Sequence, residues 1–376
     1  MTNLREGFAG KKRIIVKVGS STITHDTGRL NYYRIEKLVR EMADLENEGH
    51  EMILVTSAAV SAGMDTLGLT KRPDSIRQKQ ALAAVGQGVL MHVYERIFRE
   101  YGQKVGQVLL TRMDMQDRKK FMNSRNTLLA MIDMGIIPII NENDVVAVDE
   151  FKIGDNDTLA AMVSGIVEAD LLILLSDIDG LYTANPQTHE DATIIPVVEE
   201  IDKALFDIAG GAGSSMGTGG MYTKIQAASI ATAADVDMII ALGSEDGIIR
   251  RICKGEPVGT LFKAKHNHLH AKKRWLVSGS KPMGNIIVDA GCAKALMDHG
   301  SSLLPVGITS VEGRFHESDI VTVTYEGNVI AKGIVNYNSV NINAIKGLQT
   351  ERIESVLGHD GIYEEIIHRD NLVLMQ

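Results

Sequence analysis

RIIVKVGSS, residues 13–21, sets three β-branched residues side by side, adds a lysine and a fourth β-branched residue, and breaks at a glycine. A short run that is apolar on consecutive positions fits a strand buried on both faces, as in a parallel sheet. Five further runs read the same way: EMILVTS (51–57), KVGQVLL (104–110), GIIPIIN (135–141), DLLILLS (170–176) and DMIIAL (237–242). Each is rich in leucine or β-branched residues and bounded by Gly, Asp, Ser or Asn. Helical segments lie between them. RIEKLVREMADLENEG (34–49) puts Ile35, Leu38, Val39 and Met42 on one stripe and stops at Gly49; NSRNTLLAMIDMG (123–135) opens on an Asn or Ser cap and stops at Gly135. Alternation of this kind predicts an α/β three-layer sandwich around a mainly parallel sheet, with ligands at the C-terminal ends of the strands.

The pattern changes after about residue 260. KAKHNHLHAKKRW (263–275) is polar and charged without periodicity. Beyond it come short strands with turn signals, GNIIVDAG (284–291), DIVTVTYEGN (319–328) and VIAKGIVNYNS (329–339). The expected division is a first domain over 1–260, a linker over 261–274 and a small β-rich domain over 275–376.

The chain has 376 residues, beyond the roughly 250–300 at which a single core stops growing, which agrees with two domains. With 44% hydrophobic and 23% charged residues there is ample material for a core. A net charge of -9 argues against a general binder of nucleic acid or of a membrane surface, which needs a positive field. Cys253 and Cys292 are too few for a disulfide framework, and there is neither a signal-peptide pattern nor an apolar run of about 18 residues, so a cytoplasmic enzyme of small-molecule chemistry is expected.

Four loops that follow strands carry unusual residues. In the first, Lys17 stands near a strand end ahead of Gly19, Ser20 and Ser21, whose backbone N–H groups suit an anion; the alternative is an ordinary strand end with a solvated lysine. In VTSAAVSAG (55–63), Ser57 opens a helix of small residues, which suits either a ligand at the helix N-terminus or close packing by Ala58, Ala59 and Ala62. GGAGSSMGTGGMYTK (210–224) holds six glycines in its first eleven residues and ends on Lys224. A loop so bare lets backbone N–H groups reach phosphate oxygens, although such loops are also flexible connectors, and it lacks the Walker A pattern.

The fourth, INENDVVAVDEFKIGDND (140–157), contains Asp144, Asp149, Glu150, Asp155 and Asp157 with Lys152 as its one fixed positive charge. The spacing does not match an EF-hand. Carboxylates here suit a ligand ammonium, with Asn156 fixing its orientation, and Asp155 suits the orienting of lysines around a phosphate; a solvated acidic loop is the plain alternative. Two lysines, a glycine-rich loop and an acidic pocket on one sheet edge predict phosphoryl transfer to a small molecule that carries an amine.

The motifs IVKVGSS, VTSAAVSAG, AVGQG, LLTRMDMQDRKKFMNSRNTL, PIINENDVV, KIGDNDTLAA, LLSDIDGLYTANP and GTGGMYTKIQAA, in this order along the chain, closely resemble the glutamate 5-kinases of the amino acid kinase superfamily. The C-terminal stretch RWLVSGSKPMGNIIVDAGCAKALMDHGSSLLPVGITSVEGRF (274–315) resembles the PUA domain that bacterial members append. The resemblance implies the amino acid kinase fold with a PUA-like tail. It implies phosphorylation of the γ-carboxylate of L-glutamate by ATP with Mg2+, the first step of proline synthesis, with proline as feedback inhibitor and a homo-oligomer as the assembly.

Carried over by motif, Lys17, Lys224 and Asp155 form the catalytic set, Asp155 orienting the lysines. Ser57, Asp144 and Asn156 hold glutamate, Asp144 as partner of its ammonium. ATP lies against Lys17, Ser176, Asp177, Thr218, Gly219, Gly220, Met221, Tyr222, Thr223 and Lys224, and no protein metal site is implied because the nucleotide phosphates and water hold the magnesium. Two positions depart from the family pattern. Ala58 stands where a glycine is usual, which strains the backbone if that position has positive φ. Ser176 replaces a threonine and keeps the hydroxyl.

Other readings are a different small-molecule kinase of the superfamily, acting on acetylglutamate, aspartate, carbamate or a nucleotide, and an RNA binder that works through the PUA-like domain. Residues 266–376 carry 10 Lys plus Arg against 12 Asp plus Glu, so the tail lacks the basic footprint of RNA binding. His266, His268 and His270 alternate in a polar linker and lack a Cys or carboxylate to complete a metal set.

Overall fold

The computed structural model describes residues 5, 8, 10, 12–146, 156–184, 186, 188–189, 191–208, 220–264, 282–358 and 363–375. The chain forms two compact units, Met1–Asn267 and His268–Gln376.

In the first unit the described strands are β1 (Arg13–Val18), β2 (Glu51–Val55), β3 (Lys104–Leu110), β4 (Ile136–Glu142), β5 (Leu171–Ser176), β6 (Val197–Val198), β7 (Asp237–Leu242) and β8 (Thr260–Phe262). They form one sheet in the order β3-β4-β2-β1-β5-β7-β8-β6, parallel at every pairing except β7 with β8. All six expected strands are present. β6 and β8 add two short ones, of two and three residues, that are too brief to carry a pattern. The linker expected to begin at residue 261 meets β8 instead, where Leu261 and Phe262 are fully buried.

β1 sits between β2 and β5, with Ile15 level with Ile53 and Leu172. Its alternate residues feed two cores. Ile14, Val16 and Val18 pack with the helices Tyr32–Asn47 and Ile76–Glu100 on one face; Ile15 packs with Arg118–Asp133, Asn156–Ile166 and Met221–Ala233 on the other. That accounts for the consecutive apolar runs: in a sheet covered on both faces, both sets of side chains are interior. Lys17 shares the parity of Ile15 and so faces the second set of helices.

The small residues after β2 have a packing role. The helix Ala59–Thr66 crosses Ile76–Glu100 at backbone contact, and a Cβ built at Gly86 would stand 1.8 Å from the carbonyl oxygen of Ala59. A Cβ at Gly63 would stand 2.0 Å from that of Leu82. Close approach of helices, one of the two uses open to Ala59 and Ala62, is therefore realised, and it fixes where the chain leaves β2.

In the second unit β9 (Gly284–Val288), β10 (Ile308–Gly313), β11 (Ile320–Tyr325), β12 (Asn328–Ile334) and β13 (Leu372–Leu374) form a sheet in the order β10-β9-β11-β12-β13. β11 and β12 make a hairpin through Glu326 and Gly327, both with positive φ, as a two-residue turn that matches strand twist requires. The β-rich tail has its own core around Ile286, Val321, Val323 and Tyr337. No described helix is long and apolar enough to cross a membrane.

Gly86→Ala is expected to lower unfolding stability by about 3 kcal/mol through overpacking. Gly88→Ala, whose Cβ meets nothing within 4 Å, should be neutral or slightly stabilising. Urea denaturation midpoints of the two variants check the contrast.

Candidate active site

The C-terminal end of β1 meets the first turns of Asn156–Ile166 and Met221–Ala233. Here three charged side chains are almost wholly buried: Lys17 is 7% exposed, Lys224 6% and Asp157 0%. Asp157 bridges the two lysines. Its Oδ1 is ion-paired with Lys17 Nζ, and its Oδ2 accepts from Lys224 Nζ at 3.1 Å. Burial alone would push the Asp157 carboxyl up, but the two ammonium groups outweigh it and hold the group below the usual carboxylate range.

Asp157 is thus shared by both lysines. Lys224 also lies in the first turn of its helix, where the macrodipole opposes a cation. Nothing in local helix chemistry favours a lysine there, whereas an anion at the mouth of the site would. Among the described residues Asp157 is the carboxylate that bridges both lysines; Asp155, to which their orienting was assigned on sequence, lies outside the described residues. The signal for Asp157 was its place two residues further on, inside the helix that faces β1.

Beside this cluster lies an uncharged one. Asn156, the first residue of its helix, brings Nδ2 within 2.7 Å of the Thr56 carbonyl oxygen, 2.8 Å of Ser57 Oγ and 2.9 Å of Asn141 Oδ1. Ser57 and Asn156, expected together, are in direct contact. Sequence reasoning passed over Asn141 and over Gln87, whose Oε1 accepts from Asn141 Nδ2 at 2.8 Å. Both were visible only as parts of motifs, on a strand and a helix with no loop to mark them. Asp144 is half-buried in the turn after β4. Asp149, Glu150 and Lys152 lie outside the described residues.

On the other side, at the end of β5, Ser176 Oγ donates to Asp177 Oδ1 at 2.9 Å; Ser176 is buried and Asp177 exposed. Gly220 caps Met221–Ala233 in an extended conformation, and Thr223 Oγ1 donates to its carbonyl at 2.8 Å. The Tyr222 ring is tilted against Phe206 with centroids 5.5 Å apart, and Met221 is half-buried against the core of that face. Thr218 and Gly219, like His266, His268 and His270, lie outside the described residues. Lys17, Ser57, Asn156, Ser176, Asp177 and Lys224 are thus gathered at the C-terminal ends of β1, β2 and β5 and at the two helix starts. A charged pole and an amide pole adjoin there, joined by the neighbours Asn156 and Asp157.

The match to known proteins agrees with this geometry. The model of the amino acid kinase family matches residues 12–242, and that of the PUA domain matches 284–357. The chain is 53% identical to the glutamate 5-kinase of Caldanaerobacter subterraneus subsp. tengcongensis, covering 97% of this chain and 98% of that protein. It is 50% identical to that of Moorella thermoacetica, covering 99% and 98%. It is 51% identical to that of Carboxydothermus hydrogenoformans, covering 99% and 100%. The chain belongs to the glutamate 5-kinase family. Its two compact units correspond to the amino acid kinase domain and the PUA domain of that family.

Ala58 departs from the usual glycine, and its backbone is left-handed, with φ 79° and ψ 12°, as it caps Ala59–Thr66. An L-residue with a Cβ is strained there by about 1 kcal/mol. Ala58→Gly is accordingly expected to raise stability by up to about 1 kcal/mol, less what the more flexible unfolded chain takes back. Thermal unfolding of the two proteins reads the difference.

Proposed function

We propose that the chain transfers the γ-phosphoryl group of ATP to the γ-carboxylate of L-glutamate, giving L-glutamyl 5-phosphate and ADP, the first step of proline synthesis. The observation that carries the reading is the buried Lys17–Asp157–Lys224 cluster directly beside the Ser57–Asn156 cluster.

Phosphoryl transfer asks the protein mainly for position and charge. A carboxylate acceptor is ionised at neutral pH, so no proton has to be removed before it attacks. A carboxylate oxygen forms the new bond to phosphorus, the bond to the β,γ-bridging oxygen breaks, and the electron pair leaves with ADP. The reaction needs no general base, and Asp157, held below the usual carboxylate range between two ammonium groups, is built as a clamp for Lys17 and Lys224. The lysines stabilise the charge that spreads over the equatorial oxygens and the leaving oxygen.

Ser57 and Asn156 take the amino acid end of glutamate, with Asp144 as partner of its ammonium. Ser176, Asp177 and the segment from Thr218 to Lys224 take the nucleotide. The described carboxylate at the charged pole is engaged by two lysines, so magnesium fits as an ion held by the nucleotide phosphates and water, where it neutralises phosphate charge. Proline carries the same ammonium and carboxylate as the substrate, and it acts as an inhibitor at the same amide pole. A cytoplasmic homo-oligomer completes the reading.

Incubation with ATP, magnesium, hydroxylamine and one acceptor at a time, from L-glutamate, N-acetylglutamate and L-aspartate, tests it through the hydroxamate that traps an acyl phosphate. Hydroxamate is expected with L-glutamate, and its absence with all three acceptors overturns the assignment. Lys17→Ala and Lys224→Ala are each expected to lower kcat by at least about 100-fold, the scale of losing one charge-stabilising donor. A variant that keeps wild-type turnover removes that lysine from the role.

A further inference from the structure

We infer that Gln87 is a positioning residue for the amino acid acceptor, bracing from behind the chain of amides through which Asn156 and Ser57 meet the ligand; this rests on the reading of the amide pole as the glutamate end. Two backbone groups whose polarity cannot be reversed anchor the chain of amides. The N–H of Glu142 donates to Asn141 Oδ1 at 2.8 Å, which fixes the Asn141 amide and turns its Nδ2 toward Gln87. The carbonyl of Thr56 accepts from Asn156 Nδ2 at 2.7 Å, which fixes the second amide. A reversed Asn141 would set two donors against each other at Glu142; a reversed Asn156 would set two acceptors against each other at Thr56.

Between these anchors the two hydrogens of Asn156 Nδ2 are shared among three acceptors, Thr56 O, Ser57 Oγ and Asn141 Oδ1, and none is left for a ligand. Two valences remain for a ligand. Asn156 Oδ1 has no protein donor among the described residues, so it is an acceptor suited to an ammonium. Ser57 Oγ lies within reach of Asn156 Nδ2 as an acceptor, and its own hydrogen, which the amide nitrogen cannot accept, can turn to a carboxylate. One acceptor and one donor side by side suit the ammonium and carboxylate of a free amino acid.

Gln87 closes the chain from behind. It is 9% exposed, and its Oε1 is the acceptor for Asn141 Nδ2. Its own Nε2 is buried with no hydrogen-bond partner among the described residues. A buried amide with one valence unmet is unfavourable in itself, and an apolar residue of similar size would avoid that penalty. What an apolar residue cannot supply is the acceptor that holds Asn141. Without it the Asn141 side chain is held by the Glu142 N–H alone, and its brace on Asn156 is loosened.

The test compares KM for L-glutamate, KM for ATP and kcat in the wild type, Gln87→Leu and Gln87→Glu, by the hydroxamate assay, with thermal unfolding to establish folding. Gln87→Leu should raise the glutamate KM at least ten-fold while the ATP KM stays within about two-fold. Gln87→Glu retains an oxygen opposite Asn141 in either protonation state and should recover most of the lost affinity. A purely structural role predicts otherwise: both KM values rise together, or both variants are equally impaired. Either result overturns the inference, as does a glutamate KM within two-fold of wild type in Gln87→Leu. Should Gln87→Leu fail to fold, Gln87→Glu decides alone, since a ten-fold rise in glutamate KM with the acceptor intact also overturns it. Absence of reaction with glutamate in the wild type would instead count against the function proposed above, a separate outcome.

Discussion

A single buried carboxylate holds the charged end of this site together. Asp157 is enclosed completely, and burial of an unpaired carboxylate is strongly unfavourable unless cations compensate it. Lys17 and Lys224 supply that compensation, and each in turn is buried to a degree that a lone lysine rarely tolerates. The three groups stand or fall together. Two ammonium groups are thereby held at one point, an arrangement suited to the charge of a phosphoryl group.

The fold is what lets three distant segments share that point. A parallel sheet brings the ends of β1, β2 and β5 to one edge, and the helices Asn156–Ile166 and Met221–Ala233 begin there with their N–H groups and positive dipole ends. The backbone-to-backbone crossing at Gly63 and Gly86 sets the exit from β2, and so the positions of Thr56 and Ser57. The helix that carries Gly86 carries Gln87 as its next residue. Packing of the helix pair and orientation of the amide chain are therefore consequences of one contact.

Much of this was legible in the sequence because burial on both faces leaves consecutive apolar runs, and because functional residues were concentrated at the breaks after them. β1 to β5 and β7 were read from those runs; β6 and β8 were not, being shorter than any pattern. Lys17 stood out as a charge inside an apolar strand, and Lys224 as a lysine at the end of a glycine-rich loop. Asp157 was harder to single out, because in GDND two aspartates flank one asparagine and only the helical phase separates them. Gln87 and Asn141 were harder still. Their role lies in which atom of each amide faces which neighbour, and a pattern of residue types does not encode that.

The proposed reaction turns on Asp157 holding two lysines for the transferring phosphoryl group. The most direct measurement is kcat and glutamate KM of Asp157→Asn, in protein whose cooperative thermal unfolding establishes that it is folded. The expected result is a fall in kcat of at least about 100-fold, as for loss of a transition-state donor, with glutamate KM changed by less than about three-fold. A folded variant with near wild-type kcat would contradict that role for Asp157.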